Sequence, residues 1–161
     1  MKSTQLQIRV TPTQKARLRQ LASRAGQDVS AYVLARALPA GRVRFDDAVR
    51  ALADESRRRF ALAEVADVLG DAPLTELQLD LAPRGLERLS PFAQNYLAAL
   101  VEQACVTRGA PLPAWTTSIA PLDEPWFASD LRSLRAHLLV ASPPPFKRRN
   151  LFTDPGVAGR V

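Results

Sequence analysis

Gln5-Leu6-Gln7-Ile8-Arg9-Val10 alternates polar and apolar residues, which is the period of a half-buried β-strand. Leu6, Ile8 and Val10 are expected on one face, and Gln5, Gln7 and Arg9 on the other. Thr11-Pro12 ends the strand, because proline lacks the N–H a ladder needs and suits the first turn of a helix. From Pro12 to Ala25, Leu18, Leu21, Ala22 and Ala25 recur at helical spacing, and Gly26 stands as a C-terminal stop. Ser30 then fits as N-cap of a second helix carrying Tyr32, Val33, Leu34, Ala37 and Leu38, closed by Pro39 and Gly41.

One strand and two short helices cannot bury a core. A domain of about 40 residues usually needs disulfides, a metal or a partner chain. This stretch has no cysteine and no histidine cluster, so a second copy is the expected remedy. Pairing each strand with its copy gives a two-stranded antiparallel ribbon over four helices. The set Ile8-Arg9-Val10-Thr11-Pro12, Leu18, Leu21-Ala22, Gly26, Ser30 and Val33 resembles the ribbon-helix-helix family of MetJ- and Arc-type repressors and many antitoxins. The resemblance implies an intertwined homodimer whose ribbon enters the major groove of double-stranded DNA. Gln5, Gln7 and Arg9 are then the base-reading residues, since glutamine can bond an adenine edge and arginine a guanine edge in bidentate fashion. Lys2, Lys15 and Arg17 are expected at phosphates. Ser30 joins them, because a helix N-terminus offers free N–H groups to an anion.

The charge agrees. Residues 1–44 carry nine Lys/Arg against the single acid Asp28, a net +8, while residues 45–124 sum to −6 and residues 125–161 to +4. A basic head on an acidic middle indicates a localised polyanion contact. The ordinary hydrophobic fraction of 47% marks a globular chain. No apolar run approaches the ~20 residues of a membrane span. There is no apolar signal core, and a lone Cys105 cannot form an intramolecular disulfide, so the expected setting is the cytoplasm.

After the head, Phe45, Ala48, Val49, Leu52 and Ala53 mark a third helix. Arg57-Arg58-Arg59 reads as a solvated helix face or end, with a phosphate contact as the alternative. Leu62, Val65, Ala66 and Leu69 form a helical stripe, and Leu62 to Gly70 looks like the first helix and turn of a helix-turn-helix. The segment that follows, Asp71 to Asp80, is acidic and would repel phosphate, so packing or dimerisation is the expected role. Leu77, Leu79 and Leu81 alternate and allow a short strand. Ser90-Pro91 starts a strong helix with the stripe Ala93, Tyr96, Leu97, Leu100, Val101 and Ala104, stopped by Gly109.

From Ala110 the composition changes: eight of the thirteen prolines lie between Pro111 and Pro155, with aromatics among them. One helix is expected from about Ser129 to Ala141, and the remainder as extended chain. The expected organisation is a mainly α protein: a ribbon-helix-helix at 1–40, a helical middle domain at 41–109 and a Pro- and aromatic-rich segment at 110–161. Disordered tails are poor in aromatics, so this segment is expected to dock, on its own middle domain or on another protein, and in the second case with Trp126, Phe127, Phe146 and Phe152 as anchors and Arg148 and Arg149 as ionic partners. The pattern Pro121-Leu122, Pro125-Trp126-Phe127, Leu134-Arg135, Leu138-Leu139, Ser142-Pro143, Phe146 and Arg149-Asn150-Leu151-Phe152 is similar to a segment of antitoxin-like proteins encoded beside nucleotidyltransferase-type toxins. That resemblance implies a protein toxin as partner and an antitoxin or autorepressor role. The rival reading is an inhibitor whose head only dimerises.

Nothing in the sequence makes a positive case for catalysis. His137 stands alone on the late helix, and Cys105 lies in an apolar helix. No Cys/His spacing suits zinc, and no P-loop or G-x-G-x-x-G is present. No enzyme activity, metal or cofactor is expected.

Overall fold

Thr11 is extended and caps the first helix, α1 (Pro12–Arg24). Its Oγ1 accepts from Gln14 N at 3.3 Å, and Gln14 Oε1 accepts from Thr11 N at 2.9 Å. This reciprocal box satisfies two donors that a helix start otherwise leaves open. At the other end Gly26 takes a left-handed φ of 66°. Gln27 N then reaches Ala22 O and Gly26 N reaches Ser23 O, the pair of bonds that closes a Schellman turn. In this computed structural model residues 7–37, 40–154 and 156 are described. The chain forms two units, Met1–Pro39 and Ala40–Val161.

In the first unit α1 packs on α2 (Val29–Ala37). Ser30 is not the cap of α2. Asp28 Oδ1 accepts from Ser30 N at 2.8 Å and from Ala31 N at 2.9 Å, so a carboxylate holds the helix start. A charged acceptor at the positive end of the helix is the stronger choice. Gln7 to Val10 is exposed and has no regular secondary structure. The physical reason is plain: a strand needs a second strand, and none is present among the described residues of this unit. Leu6 and Leu38 lie outside the described residues. Ala22 and Tyr32 are the only buried residues among those described in this unit.

The second unit is built around α6 (Pro91–Thr107). Ser90 Oγ accepts from Ala93 N at 3.3 Å, and Pro91 occupies the first helical position. Residues from Ala93 to Cys105 are buried on every side of α6, as befits a helix through the middle of a core. Around it stand α3 (Ala40–Ala51), α4 (Arg58–Asp71), α5 (Leu74–Leu77), a 3₁₀ turn at Leu86–Arg88 and α7 (Ala114–Thr117). Then come β1 (Trp126–Phe127), α8 (Arg132–Ala141), α9 (Pro144–Lys147) and β2 (Leu151–Phe152). Strands β1 and β2 pair in parallel, Trp126 opposite Leu151 and Phe127 opposite Phe152.

Leu77, Leu79 and Leu81 form no strand: Leu77 ends α5, Gln78 turns left-handed at φ 47°, and Leu77 and Leu79 are buried while Leu81 is exposed. The alternation belongs to a turn that dips twice into the core. After α4, α5 is a single helical turn with a buried end, too short to serve as a recognition helix, in keeping with the packing role expected there. Segments 41–109 and 110–161 are not separate, because the Pro-rich segment completes the core of the same unit. Pro113 stands just before α7, Pro143 just before α9, and Pro144 and Pro145 in its first turn, where proline favours the helix start.

The segment is bound by a polar pin. Arg149 Nη2 donates to Glu102 Oε1 and to Thr116 O, each at 2.6 Å, and Nη1 donates to Asn95 Oδ1 at 3.3 Å. Both charged side chains are buried. Phe146 is fully buried beside them, with Tyr96 edge-on at 5.4 Å. Removing one member of a buried pair strands the other charge, at a cost of about 3–5 kcal/mol. Arg149→Ala is therefore expected to lower unfolding stability by about that amount. Deletion of residues 143–161 is expected to unfold the second unit. Denaturant melts followed by circular dichroism check both.

Candidate nucleic-acid interface

Ala40–Val161 carries fifteen basic and fifteen acidic residues, and Met1–Pro39 carries seven basic against Asp28 alone. The chain's whole net charge of +6 thus sits on the first unit. Arg42 and Arg44, which the sequence groups with the basic head, belong to the second. Arg42 is occupied there: its guanidinium donates to the carbonyls of Leu77, Gln78, Leu81 and Ala82 and pairs with Asp46 at 3.0 Å.

Of the base-reading and phosphate candidates, Lys2 and Gln5 lie outside the described residues. Gln7 and Arg9 are exposed on the segment before α1, and Lys15 and Arg17 are exposed on α1. Arg9 and Arg17 come together at a shallow hollow of about 400 Å³, with Val10, Gln14, Leu18 and Leu21 completing its lining. The hollow has a basic rim and a largely apolar floor. Ile8 is 61% exposed and Leu34 51%, so apolar surface continues beyond it. Charge alone would not require a cover, but apolar side chains in water do.

Ser30 does not offer the anion site expected of it. Its own N–H and that of Ala31 already donate to the Asp28 carboxylate, which also places a negative charge where a phosphate would sit. Sequence reading missed Asp28 because Asp and Ser are both good caps and only geometry separates them. It also missed Arg36, whose guanidinium lies over the Tyr32 ring at 5.0 Å and so shields the unit's buried aromatic.

The proposed partner anchors are spent inside the second unit. Phe146 and Phe152 are buried and Trp126 and Phe127 half-buried. Phe127 stacks on Phe152 at 5.0 Å, and Trp126 packs on Phe92 at 4.9 Å. Arg149 is buried, and the exposed Arg148 pairs with Glu102 at 3.2 Å. In the Arg57–Arg59 run, Arg58 pairs with Glu55 at 2.8 Å and lies over Phe92, while Arg57 and Arg59 are exposed.

The residues considered for catalysis are dispersed. His137 is exposed and 3.9 Å from Asp154. Burial, and then the Glu102 carboxylate, push the Cys105 thiol above its ordinary range, away from a reactive thiolate. Asp46 and Asp47 face different arginines. Among the described residues no three His, Cys, Asp or Glu side chains gather as metal ligands, and no helix is long and apolar enough to cross a membrane.

Residues 1–59 match the model of the NikA-like family, described as mobilization protein NikA and of ribbon-helix-helix type. The match takes in the first unit together with α3 and leaves residues 60–161 unmatched. No curated protein and no solved structure matches the chain.

Asp28→Ala is expected to weaken α2 by about 1 kcal/mol, seen as a lower melting temperature of the first unit. Asp28→Asn, which keeps the cap acceptor, is expected to melt close to wild type. Equal losses in the two variants would show that the carboxylate is not acting as a cap.

Proposed function

We propose that the chain binds double-stranded DNA as a homodimer, through a ribbon formed by its Gln5–Val10 segment and the same segment of a second copy. One observation carries this reading. A 39-residue unit holds the whole net positive charge, buries only Ala22 and Tyr32 among its described residues, and leaves Gln7, Arg9, Lys15 and Arg17 exposed. Such a unit lacks the core to stand alone and has the charge to meet a polyanion. Gln5, Gln7 and Arg9 read base edges. Lys2, Lys15 and Arg17 meet phosphates. Ser30 contributes at most its exposed hydroxyl, since the neighbouring N–H groups are used by Asp28.

DNA binding by such a head serves repressors, antitoxins and mobilization proteins alike. The family match of residues 1–59 favours a role in mobilization. The antitoxin role, with its nucleotidyltransferase-type toxin, came from a resemblance and asked the aromatic tail to clamp a partner. With Phe146, Arg149 and Phe152 buried in their own unit, that motive is gone. A binding role in the cytoplasm, without catalysis, fits the same reading. The rival is a head that only dimerises; exposure of Gln7 and Arg9 on a paired ribbon favours DNA, and their cover by the rest of the chain favours the rival.

Arg9→Ala is expected to weaken binding to the preferred site by about 1–3 kcal/mol and to relax base preference there. Lys15→Ala and Arg17→Ala are expected to weaken all sequences alike, each lowering the salt slope by about one. Titration of labelled duplexes at several salt concentrations measures both. A wild type that binds no duplex even at low salt overturns the reading. Ile8→Arg is expected to abolish the dimer, read as a halved mass by light scattering in high salt.

A further inference from the structure

Helix α8 (Arg132–Ala141) buries one residue outright, Leu138. Leu131, at its N-terminal edge, is 62% exposed and Leu139 is 47% exposed. Leu131, Arg135 and Leu139 stand four residues apart and share a face, with Arg132 beside them. A ten-residue helix is marginal by itself, and one buried leucine anchors it weakly. The charges of this face are Arg132 and Arg135, while Asp130 precedes the helix and Asp154 lies 3.9 Å from His137. Arg132 makes no ion pair among the described residues, and Arg135 lies over the Phe127 ring at 5.0 Å without a carboxylate partner.

Helix α4 presents the opposite charge. Its buried residues Ala61, Val65, Val68 and Leu69 line one side. On the other side Phe60, Glu64, Asp67 and Asp71 follow at intervals of four, three and four, which is one continuous stripe. Phe60 is 77% exposed, and none of the three acids makes an ion pair among the described residues. A large exposed aromatic heading an acidic row complements leucines interleaved with arginines.

We propose that α8 of one copy docks on α4 of another, with Leu131 and Leu139 against Phe60 and with Arg132 and Arg135 facing Glu64 and Asp67. The occupant is a second copy of this chain, because the complementary surface is carried by the chain itself. Each copy holds both halves, so the contact joins dimers into larger assemblies. It rests on the homodimer of the proposed function for its baseline mass but not on DNA binding, and Ile8→Arg, which removes that homodimer, separates the two contacts.

The test is the mass of the full chain by light scattering, over a range of protein and salt concentrations. Wild type is expected to exceed a dimer as concentration rises and to return to a dimer in high salt, where the charges are screened. Arg132→Glu with Arg135→Glu, and separately Glu64→Arg with Asp67→Arg, are expected to stay dimeric at low salt. Mixed in equal amounts, the two variants are expected to associate again, since reversed α8 then meets reversed α4. Leu139→Ser weakens assembly without altering charge. Circular dichroism verifies that each variant keeps its fold. A wild-type mass fixed at the dimer overturns the proposal, as does a mixture that stays dissociated. So does binding of wild type, but not of the Arg132/Arg135 variant, to phosphatidylserine vesicles at unchanged mass, which would assign α8 to an anionic membrane surface.

Discussion

A single buried ion pair, Arg149 with Glu102, organises the second unit. Taking a carboxylate out of water on a central helix is costly, and the cost is offset only if its lone pairs find donors. Arg149 supplies them with a planar fork that also reaches Thr116 O and Asn95 Oδ1. Asn95 in turn donates to Ala120 O at 3.0 Å. The loop after α7 and the start of β2 are thereby set against α6. Their position brings Leu151 and Phe152 to β1 and buries Phe146. A hydrophobic residue at 149 would fill the space but would not choose among registers, whereas a guanidinium with three fixed acceptors permits one.

The two units solve opposite problems. Ala40–Val161 has a core large enough to hold buried charge, and its surface sums to no net charge. Met1–Pro39 has next to no core and concentrates its cations. Like charges at that density repel one another, so this unit gains stability from any partner that supplies either apolar cover or negative charge. The residues that cost it stability alone are thus the ones the proposed binding uses.

Local signals were legible, and long-range ones were not. Helices α1, α4 and α6 follow from apolar spacing, and the ends at Thr11-Pro12, Gly26 and Ser90-Pro91 follow from local backbone chemistry. Asp28 was hidden because capping depends on which of two adjacent acceptors meets the N–H groups. Leu77, Leu79 and Leu81 misled because a period of two over five residues fits a strand and a turn equally. Composition marks Trp126, Phe127, Phe146 and Phe152 as apolar surface needing a cover without choosing between their own unit and another protein; Phe92 and Tyr96, some 30 to 50 residues earlier, cover Trp126 and Phe146, and Phe127 and Phe152 cover each other. Alternation separates Gln7 and Arg9 from Ile8 and Val10, yet all four are exposed in the single chain, and the diversion of Arg42 to four carbonyls left no local signal.

The span between Glu102 and Arg149 also orders events during synthesis. A ribosome adds about 5–20 residues per second, and domains fold as they emerge, N-terminal first. When α6 leaves the exit tunnel, Arg149 has not yet been made, so Glu102 lacks its principal counter-ion and the helix cannot close its core. The first unit is by then complete, so in the proposed homodimer it would be free to meet another nascent head on the same message. Partner choice would then be open before the larger unit has folded, favouring pairing between chains translated side by side.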